Sequence, residues 1–269
     1  MQHEILRSKL IEHILTLLSQ SLRMRPIMMD LTNCPWGHLE RAKLLFCEAP
    51  LCSVVHRPSE TYSSFGFVVA ALYIYYKGRN GKNKIHWHFI ILATLLGFTS
   101  AALHATSSRI GEVMDVSSMF ALINFCIVLG LKRRFPSLSI ISQLGLFILF
   151  TIISSISLAI DNQAAGSAMF GSLVVIGVIT EYALFKNAKT KPNYMLLVKA
   201  VGSLVLGWGI WWLDILKIAC NPNNHFITGH AIWHGMCAVG VVYLWRFFDQ
   251  FEYAPSKTSS KLNNPQAVF

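Results

Sequence analysis

The feature that most constrains this chain is a succession of long apolar runs with few charges inside them. A helix needs about 20 mainly apolar residues to cross the hydrocarbon layer of a membrane. Seven stretches qualify, near residues 61–76, 88–106, 112–131, 137–160, 166–185, 195–218 and 228–248, and the first is short enough that it can begin nearer His56. The gaps between them are brief and leave no room for an inserted soluble domain. The expected fold is an all-α membrane protein, a seven-transmembrane helix bundle over residues 46–250. An N-terminal amphipathic or poorly ordered segment (1–45) is expected before it and a cytoplasmic tail (251–269) after it. The first thirty residues mix Leu and Ile with His3, Glu4, Arg7, Lys9, Glu12 and His13, so they lack the apolar core of a signal peptide.

Composition agrees with a lipid solvent. Charged residues make up 13% of the chain and hydrophobic ones 54%, where a soluble domain carries about 25% charged residues. A net charge of +10 raises the question of nucleic acid. The sequence shows neither a basic helix face nor an RNA-binding aromatic signature, so no nucleic-acid partner is expected. The basic residues instead cluster in alternate gaps. The first holds Lys77, Arg79, Lys82 and Lys84, the third Lys132, Arg133 and Arg134, and the fifth Lys186, Lys189 and Lys191. The second has only Arg109, the fourth none, and the sixth little beyond Lys217. Positive charge marks the cytoplasmic side, which puts the N-terminus outside and the C-terminus, with Lys257 and Lys261, inside. The basic N-terminal stretch (Arg7, Lys9, Arg23, Arg25, Arg41, Lys43) runs against that assignment.

An ionisable side chain within the hydrocarbon layer costs at least about 2.5 kcal/mol, so each one calls for a reason. His104 falls near the end of the second span, Asp115 near the start of the third, Asp214 near the end of the sixth, and His230 and His234 at the start of the seventh. Alternating span direction puts all five at one depth near the outer face, whichever face is called outer. His230 and His234 lie one helical turn apart on one face, the relation in which two imidazoles share a metal ion. Alone they are as readily interfacial histidines; His104 adds a third nitrogen at the same depth. Three histidines and a water form an open tetrahedral zinc site, which lowers the pKa of that water to about 7. Asp115 then suits a general base and later a proton donor, or else a structural carboxylate paired with an imidazole. Ser100, one turn before His104, can hydrogen-bond a developing oxyanion or orient the water, or simply bond its own backbone. Asp214 is either a hydrogen-bond partner of a ligating histidine or a marker of the interface. Glu181, near the cytoplasmic end of the fifth span, is expected to snorkel. His86 and His88 fall at the opposite face and are excluded as ligands. Cys47 and Cys52 are close, but their spacing and the absence of a second pair argue against a zinc knuckle.

With those residues in place the chain resembles the alkaline ceramidase family, within a superfamily of seven-span hydrolases that includes the adiponectin-type receptors. Ser100-Ala101-Ala102-Leu103-His104 followed by Asp115 resembles the family's serine, histidine and aspartate. His230-Ala231-Ile232-Trp233-His234 resembles its terminal element, Trp212-Leu213-Asp214 with Cys220 its sixth-span element, and Cys47-Glu48 its Cys-Glu. The resemblance runs roughly from Phe46 to Phe248. It implies zinc (Zn2+) held by His104, His230 and His234, with Ser100 and Asp115 assisting hydrolysis of ceramide to a sphingoid base and a fatty acid. It also implies a disulfide joining Cys47 to Cys220. The family's calcium-binding cluster keeps only Glu48 here, with Arg57 or Pro58 in the region of a later ligand and Glu60 nearby, which puts calcium in doubt. The family's Asn-Thr-X-Ser-Asn becomes Glu60-Thr61-Tyr62-Ser63-Ser64.

The sequence therefore points to an intramembrane zinc-dependent amidohydrolase whose substrate is ceramide or a related long-chain amide. The competing reading is a receptor or regulator of the adiponectin-receptor type with a structural zinc. A transporter would show repeated halves, and none is seen.

Overall fold

The computed structural model describes residues 30–81, 83–159, 163–187, 192–251 and 253. Within them the chain forms α1 (Pro58–Ser64), α2 (Gly66–Gly78), α3 (His86–Thr106), α4 (Arg109–Arg134), α5 (Ile140–Ile156), α6 (Gln163–Asn187), α7 (Met195–Ile215) and α8 (Gly229–Phe248), with a 3-10 turn at Ser157–Ala159. Helices α3 to α8 are each long and apolar enough to cross a membrane. Together α1 and α2 run from Pro58 to Gly78, about 31 Å at 1.5 Å per residue, which is enough for the remaining crossing. Most of residues 1–45 and 251–269 lies outside the described residues, as do Lys82, Lys189, Lys191, Lys257 and Lys261.

The first crossing starts earlier than its apolar pattern suggests because Pro58 opens α1 at its first turn, where a missing N–H is harmless. It breaks at Phe65 for a local reason. The hydroxyls of Ser63 and Ser64 both donate to the Glu60 carbonyl, and the Phe65 amide turns to the Tyr62 carbonyl, three residues back. Hydroxyls that compete for the carbonyl ladder bend helices. The bend gives the helix segment carrying Glu60 and Ser63 its own direction at one end of the bundle.

Helix α7 packs on α8; α3 packs on α2 and α4; α4 also supports α5 and α6; and α1 seats against α3 and α8. Phe89, Phe120, Phe247, Phe248 and Ile74 are fully enclosed between these helices. The outer surfaces of α5 and α6 stay apolar and uncovered: Ile140 and Ile141 are 73% and 80% exposed, as suits side chains facing hydrocarbon.

Two ends of the bundle differ in chemistry. At one end residues 30–57 lie across the helix termini, pinned by the disulfides Cys34–Cys52 and Cys47–Cys220, by an antiparallel bridge between Arg41 and Ser108, and by burial of Leu31. The Cys47–Cys220 bridge is the pairing the resemblance implied; Cys34–Cys52 was not anticipated. The other end gathers Lys77, Lys84, Lys132, Arg133, Arg134 and Lys186. There Glu181 does not snorkel. It is 4% exposed and pairs with Arg133, because the face of α6 that carries it turns toward α4 and a buried carboxylate needs a partner.

Candidate active site

Three helix ends meet beneath the 30–57 segment. Ser100 and His104 stand one turn apart in the last turns of α3, which closes on Ser107 in the left-handed conformation (φ 50°). Helix α4 starts two residues later with Ser108 as N-cap, its hydroxyl accepting from the Gly111 amide at 3.2 Å. A side chain at Gly111 would put its Cβ 2.8 Å from the Leu103 Cα, so glycine there lets α4 lie close enough to α3 for Asp115 to reach Ser100. Thr99 and Ser118 hydroxyls, 2.9 Å apart, tie the same two helices.

Helix α8 brings His230 and His234 in from the opposite direction. Thr228 caps it, accepting from the Ala231 amide at 3.1 Å, and Asp214 of α7 accepts from the Gly229 amide at 2.9 Å. A Cβ at Gly229 would fall 2.6 Å from the Asp214 Cβ, so this contact between α7 and the α8 terminus needs glycine. Asp214 thus neither bonds an imidazole nor sits at an exposed interface. It is 1% exposed, and its carboxylate anchors the backbone just before His230.

The three histidines converge. Ring centroids are 4.5 Å apart for His230 and His234, 4.9 Å for His104 and His230, and 5.1 Å for His104 and His234. One nitrogen from each lies within 4.8 Å of the others, close to the span of one ion's shell given zinc–imidazole bonds of about 2.0–2.1 Å. All three are buried. His104 Nε2 and His230 Nδ1 have no hydrogen-bond partner among the described residues, and an orphaned buried nitrogen is costly. A cation satisfies those lone pairs at once, so the group fits a metal ion.

Two further contacts hold the rings. Glu60 Oε2 stands 2.9 Å from His104 Nδ1, both side chains fully buried. Ser63 Oγ lies 2.8 Å from His234 Nδ1. With Nδ1 of His234 bonded to Ser63 and Nδ1 of His104 facing the Glu60 carboxylate, each ring has Nε2 left for a ligand. Glu60 and Ser63 escaped the sequence reading as site residues. The signal was present in a glutamate and a serine three residues apart on one helical face, at the start of an apolar run.

Ser100 sits at the centre of the polar cluster. It lies 3.0 Å from Ser64 Oγ, 3.4 Å from His234 Nε2, and beside the Asp115 carboxylate. Phe46 packs edge-on against His104 and His230 at 4.9 and 5.0 Å, and the Arg57 guanidinium covers its outer face at 4.7 Å. The two oxygens of Glu48 are engaged elsewhere. They accept from the Ser59 and Glu60 amides at 3.1 Å, capping α1, and one lies 2.9 Å from His225 Nδ1.

An apolar cavity of about 180 Å³ opens from this cluster. Ser100, Asp115, Trp211, His230, Trp233 and His234 line one end, Leu204, Cys237 and Val241 the middle, and Glu181 and Phe248 the other. From His230 to Phe248 the cavity follows α8 for about 27 Å at 1.5 Å per residue, most of the roughly 30 Å hydrocarbon thickness. Such a site exposes polar chemistry to the end of a long apolar chain. His86 and His88 lie at the far end of α3 from it, as expected.

No curated protein matches the chain in sequence. The ceramidase family profile does match, across residues 40–265, a stretch that takes in the histidine cluster, Ser100, Asp115 and the Cys47–Cys220 bridge. This multi-pass membrane chain belongs to the ceramidase family.

Proposed function

We propose that the protein is a zinc-dependent amide hydrolase that cleaves ceramide, or a related long-chain lipid amide, within the membrane. The observation that carries this reading is the meeting of three buried imidazoles, Ser100 and Asp115 at one end of a long apolar cavity. Residues 46–250 form the hydrolase unit. Held by His104, His230 and His234, zinc would supply a Lewis acid that polarises the amide carbonyl and makes water ionisable near pH 7.

The remaining chemistry belongs to the chain. Ser100, beside the imidazoles and Asp115, donates its hydroxyl proton to the carbonyl oxygen as negative charge builds there. Asp115 takes a proton from the attacking water and returns it to the departing amine nitrogen. Glu60 and Ser63 fix the two imidazoles they touch, and the cavity beyond Trp233 takes an acyl or sphingoid chain and excludes bulk water.

The disulfide-bonded site end is assigned to the non-cytoplasmic side, where disulfides persist, and the basic end and C-terminus to the cytoplasm. In purified protein, His230→Ala is expected to lose zinc and fatty-acid release together, whereas Asp115→Ala keeps zinc and loses release. Full turnover of ceramide by either variant would overturn the scheme. A protein that binds zinc, melts on chelation and turns over no lipid amide would instead favour the receptor-like role.

A further inference from the structure

A second large cavity lies at the basic end, outside the site described above. Helices α3 and α5 both pack on α4 but share at most marginal contact with each other. The cleft between them has a volume of about 2080 Å³. Its walls are apolar, formed by Ile91, Leu92, Phe125, Leu144 and Phe147, and its mouth carries Lys84, Lys132, Arg133 and Arg134. Asp249 is the one carboxylate among its described lining residues.

The cations are not equivalent. Arg133 is committed to Glu181 on the far side of the cleft wall. Lys132 Nζ donates to the Pro136 and Leu138 carbonyls at 2.7 and 2.9 Å, which leaves one of its three protons. Lys84 and Arg134 are exposed. Lys84, Arg134, whose guanidinium also lies over the Phe135 ring at 5.3 Å, and a partly engaged Lys132 stand at the end of an apolar groove and match an amphiphile with a negative head and a hydrocarbon tail. A zwitterionic headgroup would bring its own cation to the same place, and a free phosphate would leave the Ile91, Leu144 and Phe147 walls uncovered.

We propose that this cleft is a binding site for an anionic glycerophospholipid, its phosphate at Lys84, Lys132 and Arg134 and one acyl chain along the groove between α3 and α5. A lipid seated there bridges two helices that otherwise meet only through α4, so its occupancy is read in thermal stability. The test uses the full chain in a neutral detergent, titrated separately with dioleoyl phosphatidylglycerol, dioleoyl phosphatidylcholine and inorganic phosphate. Phosphatidylglycerol is expected to raise Tm by about 5 °C near saturation, phosphatidylcholine by much less, and phosphate not at all. The double variant Lys84→Gln/Arg134→Gln is expected to lose the phosphatidylglycerol shift while keeping the lipid-free Tm. Leu144→Trp, which fills the groove without touching the charges, is expected to lose it as well. Equal shifts with both lipids, a full shift with phosphate alone, or a full phosphatidylglycerol shift in both variants would overturn the proposal. So would the absence of any lipid-dependent shift.

Discussion

Glu60 offers the sharpest test of how the histidine cluster is held. Its carboxylate lies 2.9 Å from His104 Nδ1 with no exposure on either side chain, a charge contact rather than an aligned hydrogen bond, since neither oxygen nor that Nδ1 makes a hydrogen bond among the described residues. Glu60→Gln keeps the volume and an acceptor oxygen but removes the charge. The contact has ion-pair length but not the alignment of a hydrogen bond, so loss of the charge alone is expected to lower zinc affinity by less than about 10-fold, the weak end of what loss of an outer partner does. Glu60→Ala leaves the ring without a holder, and loss of such a partner lowers metal affinity or activity by about 10–100-fold. The expected order is therefore wild type, Gln, Ala, with zinc affinity and fatty-acid release falling together. Competition against a chromophoric chelator measures the first and product detection from ceramide the second, while a melt of each metal-free variant separates loss of fold from loss of metal. If Glu60→Ala folds and binds zinc as tightly as wild type, Glu60 does not orient His104.

The other expectations concern stability. Cys47 and Cys220 close a separation of 173 residues; Cys220→Ser is expected to cost about 2–4 kcal/mol, below the roughly 5 that loop entropy alone allows, because inserted helices keep the unfolded chain from being free. A melt in non-reducing buffer that matches wild type would contradict this. Glu181→Gln strands the Arg133 charge and is expected to cost about 3–5 kcal/mol, with Arg133→Met/Glu181→Leu recovering most of it; denaturant unfolding that ranks the double variant below the single would refute a buried pair. His56, outside the spans, donates from Nε2 to the Pro35 carbonyl at 2.8 Å, while its buried Nδ1 has no hydrogen-bond partner among the described residues. Burial therefore holds its pKa below the ordinary histidine value of about 6.5. The unfolded chain then binds a proton that the native chain does not, so stability falls as pH drops below about 6.5. His56→Gln is expected to flatten that slope in melts between pH 7 and 5, and an unchanged slope would show that the ring is not held neutral.

What could be read from the sequence follows from which physical signals are local. Each long helix was legible because apolar runs of span length have few other uses, and His104, His230 and His234 stood out because charge in hydrocarbon is costly and alternating spans put them at one depth. Partners across helices were not legible on the same grounds. A 3.6-residue period says that a face is apolar or polar, not which neighbour that face meets. Glu181 was misread for this reason: its position near a helix end fits a snorkelling carboxylate, and only the seating of α6 on α4 shows it meeting Arg133, which in sequence belongs to a basic loop. Glu60 lies 44 residues from His104, on a short helix whose direction depends on serine hydroxyls bending the chain at Phe65. Any feature that rests on such a bend reaches the sequence only as residue types at a plausible spacing. The same holds for Cys34 and Cys52, whose pairing needs the fold of residues 30–57 over the helix ends. The rings of the candidate site are thus written in the spans, while the groups that aim them are written in the packing between spans. Substitutions at Glu60 and Ser63 should accordingly disturb the histidine cluster without altering any helix that the apolar pattern defines.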